Sequence, residues 1–254
     1  MDKKVLMIPD THRPYHHKSA YNLMLEVASN SKIDEIIMLG DYADFYAINS
    51  HGKSPEMKME MKDEIDDVRC GLSQLQSKFP KTKRTFIEGN HEWRLHRYIC
   101  NKAPEMYNIV DTRTLLDLDK YGFEFAPYTP DQGIKVAHSE LIARHEPISG
   151  GVHSAHGTVT KAGCSVIFGH THRIQESQIV SLDGSNYRGI SIGWLGNKYH
   201  PVMSYVKNHW QWALGFSVAT VLDNGLWFNN TVHIIEKDKS LFCIYEGYKY
   251  EISI

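Results

Sequence analysis

Residues 33–44, Ile-Asp-Glu-Ile-Ile-Met-Leu-Gly-Asp-Tyr-Ala-Asp, constrain the fold more than any other stretch. The apolar run Ile36 to Leu39 is short, bounded and β-prone, which suits a strand buried on both faces. It stops at Gly40, where the backbone can turn sharply, and delivers Asp41 just past the strand's C-terminal end. Ligands in open α/β sheets gather at that edge. An aspartate there is a hard anionic oxygen donor, able to bridge two cations.

The same design recurs along the chain. The run 4–9 ends in Asp10-Thr11-His12, Arg84 to Glu88 ends in Gly89-Asn90-His91-Glu92, and Cys164 to Phe168 ends in Gly169-His170-Thr171-His172. Two further runs, Ile134 to Ala137 and Leu141 to Arg144, each end in a histidine, His138 and His145. Between the first two strands, residues 19–30 carry apolar side chains spaced for one buried helical face. That makes a βαβ unit, which implies parallel pairing.

Residues 55–79, with Pro55 near the start, predict a second amphipathic helix whose charged face meets solvent. A helical, irregular stretch over about 93–119 is broken by Pro104. Phe123 to Ala126 reads as another short strand, and 149–162 as a Gly/Ser-rich loop leading into a short helix. From about 174 to 254 the pattern is almost entirely β, punctuated by the turn pairs Asp183-Gly184, Asn224-Gly225 and Glu246-Gly247. Trp210-Gln211-Trp212 reads as part of a strand in this stretch. No linker or repeat separates it, so the expectation is a single α/β domain over 1–254 with the β-rich remainder as its second sheet.

Composition narrows the function. A chain of 254 residues, 42% hydrophobic and 23% charged, is an ordinary globular protein. Its net charge of −2 argues against a broad basic surface for duplex nucleic acid, while leaving room for a local basic groove. The four cysteines, Cys70, Cys100, Cys164 and Cys243, form no C-x-x-C pair and suit free thiols in a reducing compartment. The first apolar run, Val5 to Ile8, is strand-length and ended by Pro9, so no membrane association is expected and the location expected is cytoplasmic.

Fifteen histidines is a high count, and several stand beside Gly, Asp or another His. In extended backbone, positions i and i+2 share a face, so Asp10-x-His12 and His170-x-His172 can each aim two donors at one ion. Gly89-Asn90-His91 adds an amide oxygen and another imidazole. Carboxylates, an amide oxygen and several imidazoles together suit Mn, Fe, Zn or Ni better than Ca or Mg.

D-x-H, then G-D-x-x-D, then G-N-H-E, then a strand-end histidine, then G-H-x-H, in this order on strand ends, resembles the calcineurin-like metallophosphoesterase family, in particular its compact bacterial and phage members. The motifs span residues 10–172. The resemblance implies a four-layer sandwich of two packed mixed β-sheets flanked by helices, and a dinuclear metal site. One ion would be held by Asp10, His12, Asp41 and His172, and the other by Asp41, Asn90, His170 and one more histidine. Manganese is the first expectation, with iron, zinc or nickel as alternatives. His145 is the expected last ligand, followed by Glu146 where the family more often has Gly; His138, His153 and His156 are the other candidates. Two cations about 3.5–4 Å apart would hold and activate a bridging water for in-line attack on phosphorus. His91 matches the family's catalytic histidine, and Asp44 its orienting carboxylate, the other reading of Asp44 being a helix N-cap.

The serine/threonine protein phosphatase branch continues with Arg-Gly after the second Asp, where this chain has Phe45-Tyr46, so that activity is not expected. The first expectation is hydrolysis of a phosphomonoester or phosphodiester, of a nucleotide or nucleotide-like compound. The alternatives are a metal-dependent exonuclease or nucleic-acid end-processing enzyme, and a non-catalytic binding module on the same fold. Arg94, Arg144 and Arg173 are the candidate substrate-binding residues, with His96 and Arg97 beside the first of them. Trp194 and Tyr42 are candidates for stacking on a base, against ordinary packing as the other reading. A second copy of the chain is a candidate partner.

Overall fold

The computed structural model describes residues 1–50, 60–205 and 209–254. In chain order it forms β1 (Lys3–Ile8), α1 (Lys18–Asn30), β2 (Glu35–Met38), α2 (Met61–Lys78), β3 (Lys83–Ile87), α3 (Trp93–Lys102) and α4 (Thr112–Leu115). These are followed by β4 (Phe123–Ala126), β5 (Ile134–Lys135), β6 (Ile142–Arg144), α5 (Ser154–Ala162), β7 (Val166–Phe168), β8 (Ile174–Val180) and β9 (Asn186–Ile192). The chain ends with β10 (Gly215–Val221), β11 (Trp227–His233), β12 (Ile235–Lys237), β13 (Ser240–Tyr245) and β14 (Tyr248–Ser253).

A six-stranded sheet has the order β11-β10-β1-β2-β3-β4, with β1 to β4 parallel and β10 antiparallel to β1. A five-stranded sheet has the order β5-β6-β7-β9-β8, with β6, β7 and β9 parallel. The two sheets pack face to face, as the alternation along β1 requires. Val5 and Met7 share a core with Ile37 of the first sheet and Ala143, Ile167 and Ile190 of the second. Leu6 and Ile8 point the other way, into a core built with Leu23, Met24 and Val27 of α1 and Val68, Leu72 and Leu75 of α2. On the far side Ala155 and Ala162 of α5 pack against Val166 and Phe168. Helices, sheet, sheet and helix are the four layers expected.

The stretch after residue 174 does not form one sheet. Strands β8 and β9 complete the second sheet, β10 and β11 extend the first, and β12 to β14 make a third, antiparallel sheet. Leu241, Cys243 and Tyr245 of that third sheet close over the same core as α1. The turn pairs do mark hairpins, joining β8 to β9, β10 to β11 and β13 to β14. What a turn cannot specify is the long-range partner, such as β10 beside β1. Residues Trp210 and Gln211 lie in a 3-10 turn, not a strand. The expected helix start at Pro55 falls outside the described residues, and α2 runs from Met61.

Strands β1, β2 and β3 of one sheet and β6 and β7 of the other all deliver their carboxyl ends to one edge of the sandwich. Backbone bonds lace the loops there: His12 N–H donates to Asp41 O at 2.9 Å, Gly169 N–H to His145 O at 3.1 Å, and Leu195 N–H to Asp10 O at 3.0 Å.

A candidate dinuclear metal centre

Two clusters of donors meet at that edge. In the first, His12 Nε2 and His172 Nε2 are 3.1 Å apart, and His172 Nε2 is 3.6 Å from Asp10 Oδ1. In the second, His145 Nε2 lies 2.9 Å from Asn90 Oδ1, 3.4 Å from Asp41 Oδ1 and 3.3 Å from His170 Nδ1. His170 Nδ1 is itself 2.8 Å from Asn90 Oδ1. Asp41 stands between the clusters. Its Oδ1 faces His145, and its Oδ2 is 4.0 Å from His12 Nε2 and 3.8 Å from His91 Nε2.

The donor set fits divalent cations because lone pairs converge without enough protons between them. His145 Nδ1 donates to the Leu39 carbonyl at 2.7 Å, so in the neutral ring Nε2 is bare where it meets Asn90 and Asp41. His12 Nδ1 faces Asp44 Oδ1 at 3.1 Å, which leaves its Nε2 bare toward His172. In the protein alone a proton partly relieves this crowding. Burial opposes a charge on His145, but Asp41 and Asp10 outweigh it and push its pKa up to about 10. Burial and the charge on His145 push His170 down to about 4, and burial pushes His172 down to about 3. Burial, with the Asp41 charge, raises Asp10 to about 6 despite His145 nearby. A proton on His145 therefore occupies ground that a cation would take.

Strain marks the same residues. His12, Asp41, His170 and His172 have φ of 50°, 49°, 62° and 57°, in the left-handed region where a non-glycine residue costs about 1–3 kcal/mol. Close approach is also built in. A Cβ on Gly40, whose φ is +85°, would lie 2.6 Å from His145 Nδ1, and one on Gly89 would lie 2.3 Å from Asp41 Oδ1.

Beside the clusters, His91 Nδ1 lies 2.5 Å from Asp44 Oδ1, and Arg94 donates to the Asp44 carbonyl at 2.8 Å and approaches His91 Nε2 at 2.9 Å. Burial works against charge on both His91 and Asp44. The charges of Asp41 and then Asp44 nonetheless raise the His91 pKa, and His91 with His12 depresses that of Asp44. Asp44 caps no α-helix; its carboxylate serves His91 and His12.

The sequence expectations divide clearly. Asp10, His12, Asp41, Asn90, His145, His170 and His172 come together, with His91, Asp44 and Arg94 alongside. His138 instead pairs with Leu222 O at 2.7 Å, His153 is exposed at the start of α5, and His156 meets Ser177 Oγ at 3.1 Å. Arg173 lines a cleft with His170 and Glu146, its Nη1 donating to Gly151 O at 3.0 Å. The Arg144 guanidinium turns to Pro130 O, 3.5 Å away, rather than to the donor clusters. Tyr42 is buried and paired with Tyr21, and Trp194 is buried and stacked on His172 with ring centroids 4.6 Å apart, so neither offers a free face to a base. Trp212 closes the other side of His172, edge-on at 4.4 Å.

One residue that braces these loops went unassigned in the sequence. The buried Glu92 carboxylate accepts from Asp41 N–H at 3.0 Å, Gly89 N–H at 2.8 Å and Ala43 N–H at 2.7 Å, tying the Asp41 and Asn90 loops together. Its place in Gly-Asn-His-Glu was the available signal. Burial and the Asp41 charge push its pKa up to about 8 against those donors.

Residues 3–174 match the calcineurin-like phosphoesterase family. The chain is 25% identical to the gene 54 protein of Mycobacterium phage L5 over 247 residues, covering 87% of this chain and 90% of that protein. Among solved structures it is similar to Yfce, a phosphoesterase from E. coli, at 13% identity and a TM-score of 0.42, covering 90% of this chain and 98% of that one. It is also similar to vacuolar protein sorting 29 from Cryptosporidium parvum, at 15% identity and a TM-score of 0.43, covering 100% of this chain and 99% of the other.

Proposed function

The chain belongs to the calcineurin-like phosphoesterase family, and on that premise we propose that it hydrolyses a phosphomonoester or phosphodiester of a nucleotide with two divalent cations, manganese first among them. The observation that carries this reading is Asp41, whose two carboxylate oxygens each face a separate cluster of bare imidazole nitrogens and oxygens. Asp10, His12, Asp41 and His172 would hold one cation, and Asp41, Asn90, His145 and His170 the other. Bound there, the pair supplies Lewis-acid charge for the phosphoryl oxygens and lowers the pKa of water.

The chain's own residues do the rest. His91 presents Nε2 toward the site while Asp44 holds its Nδ1, so the pair can carry a proton to the leaving oxygen. Arg94, fixed by the Asp44 carbonyl, adds a cation that can grip a phosphoryl oxygen. Arg173, beside His170, is the counterpart on the other side. The four cysteines are free thiols, which suits a cytoplasmic setting.

The test is hydrolysis of p-nitrophenyl phosphate and bis-p-nitrophenyl phosphate by metal-stripped protein, with and without added Mn. Turnover should require Mn, vanish in Asp41→Ala, and fall by about 10²–10⁴-fold in His91→Ala. Turnover unaffected by chelation would refute the proposal.

A further inference from the structure

Helix α3 presents Arg94, Arg97, Tyr98 and Asn101 at i, i+3, i+4 and i+7, one continuous face, while Leu95 and Ile99 turn inward. That face forms one wall of a cleft of about 270 Å³ whose other wall is the 3-10 turn Tyr46–Ile48 and the residues just after it. The lining includes Ile48, Asn49, Arg97, Tyr98 and Lys102, with no carboxylate among the described residues. Arg94 joins the cleft to the candidate centre, because the guanidinium at its mouth also reaches His91 Nε2. Neither Arg97 nor Lys102 is ion-paired among the described residues. In a chain of net charge −2, Arg97 and Lys102, with Arg94 held by Asp44 at the mouth, concentrate positive charge on one wall.

Resting on the phosphoesterase reading, we propose that this cleft binds the strand that flanks the scissile phosphate, so that the substrate is a single-stranded oligonucleotide rather than a mononucleotide. With a rise of about 1.5 Å per residue, Arg97 lies about 5 Å and Lys102 about 12 Å beyond Arg94 along the helix axis. A lone phosphate at His91 cannot reach both; successive phosphates of a strand can. Tyr98 is 44% exposed, which leaves its ring a face for a base. Ile48 and Ala47 give the cleft its apolar floor. The volume admits about one nucleotide and excludes a duplex.

The experiment is fluorescence anisotropy of a labelled phosphorothioate-linked thymidine hexamer on the Mn-loaded protein, wild type and Arg97→Glu/Lys102→Glu. Both positions are exposed on the helix surface, so the fold is not at stake. The expected result is affinity at least about tenfold weaker in the double variant, with a shallower salt dependence as two phosphate contacts disappear. Thymidine monophosphate should compete poorly and be indifferent to the substitutions. Equal hexamer affinity in the two proteins, or monophosphate binding as tight as the hexamer, would overturn the proposal. Hydrolysis of bis-p-nitrophenyl phosphate by the wild type, run in parallel, reports on the phosphoesterase reading independently, since that small ester does not extend into the cleft.

Discussion

Glu92 offers the sharpest quantitative check on how the site is held. Its two carboxylate oxygens accept from the backbone N–H groups of Asp41, Gly89 and Ala43, and the side chain is fully buried. Leaving a buried donor unsatisfied costs about 1–3 kcal/mol, so Glu92→Ala, which strands three, should destabilise the fold by about 3–9 kcal/mol. Glu92→Gln keeps one oxygen, enough for the paired Asp41 and Gly89 donors, and turns an amide N–H₂ against Ala43 N–H. It should cost about 1–3 kcal/mol, the value of one lost acceptor. The assay is urea unfolding of metal-stripped protein, with Mn affinity measured in parallel by calorimetry. Both variants should also bind Mn more weakly, because the loops carrying Asp41 and Asn90 lose their common anchor. A Gln variant as stable as the wild type beside a destabilised Ala variant would mean that the side chain acts by filling space and not by accepting all three bonds. Less than about 1 kcal/mol for Ala would refute the brace outright.

Two further outcomes follow from the packing and the charges. Gly89→Ala would press a methyl to within 2.3 Å of Asp41 Oδ1 and should abolish Mn-dependent turnover while a circular dichroism spectrum stays native-like; retained turnover would contradict the interlocked loops. Glu64 is buried beside Asp44, and burial first, then that charge, pushes its pKa from 4.5 up to about 7. The folded state therefore holds a proton that the unfolded state releases, so this contribution is full below about pH 4.5, is lost as pH rises through 7 and is flat above. The total is about 3 kcal/mol. The stability difference between the wild type and Glu64→Gln, from urea midpoints at pH 5 to 8, should change by this amount across the window; a pH-independent difference would place the proton elsewhere.

The donors were legible in the sequence because each follows a short apolar run, and strand ends in a parallel sheet converge by topology. Asp41 after Ile36 to Leu39 and His170 after Val166 to Phe168 needed only that rule. His145 could not be separated from His138 by pattern, since both end strand-like runs. The deciding contact, His145 Nδ1 on Leu39 O, joins residues from different sheets. The strand pairings after residue 174 were hidden for the same reason: hairpin turns are local chemistry, but the choice of sheet is made by the core each strand must cover. Trp212 shows the limit of periodicity. Its alternation with Trp210 imitates a strand, yet it sits just past a 3-10 turn and packs edge-on against His172 and Trp194. The left-handed backbone at His12, Asp41, His170 and His172 could not be read from residue type, because Asp and His tolerate it better than most residues yet adopt it in only a minority of cases.

If Asp41 joins two cation sites, its loss must cost both ions. The most direct test is the number of Mn ions retained per chain after equilibrium dialysis, counted by plasma emission spectrometry for the wild type, Asp41→Ala and Asn90→Ala. Two ions are expected in the wild type, one in Asn90→Ala, where only the His145 and His170 cluster is damaged, and fewer than one in Asp41→Ala. A wild type that retains none, or an Asp41→Ala protein that still holds two, would contradict that role for Asp41.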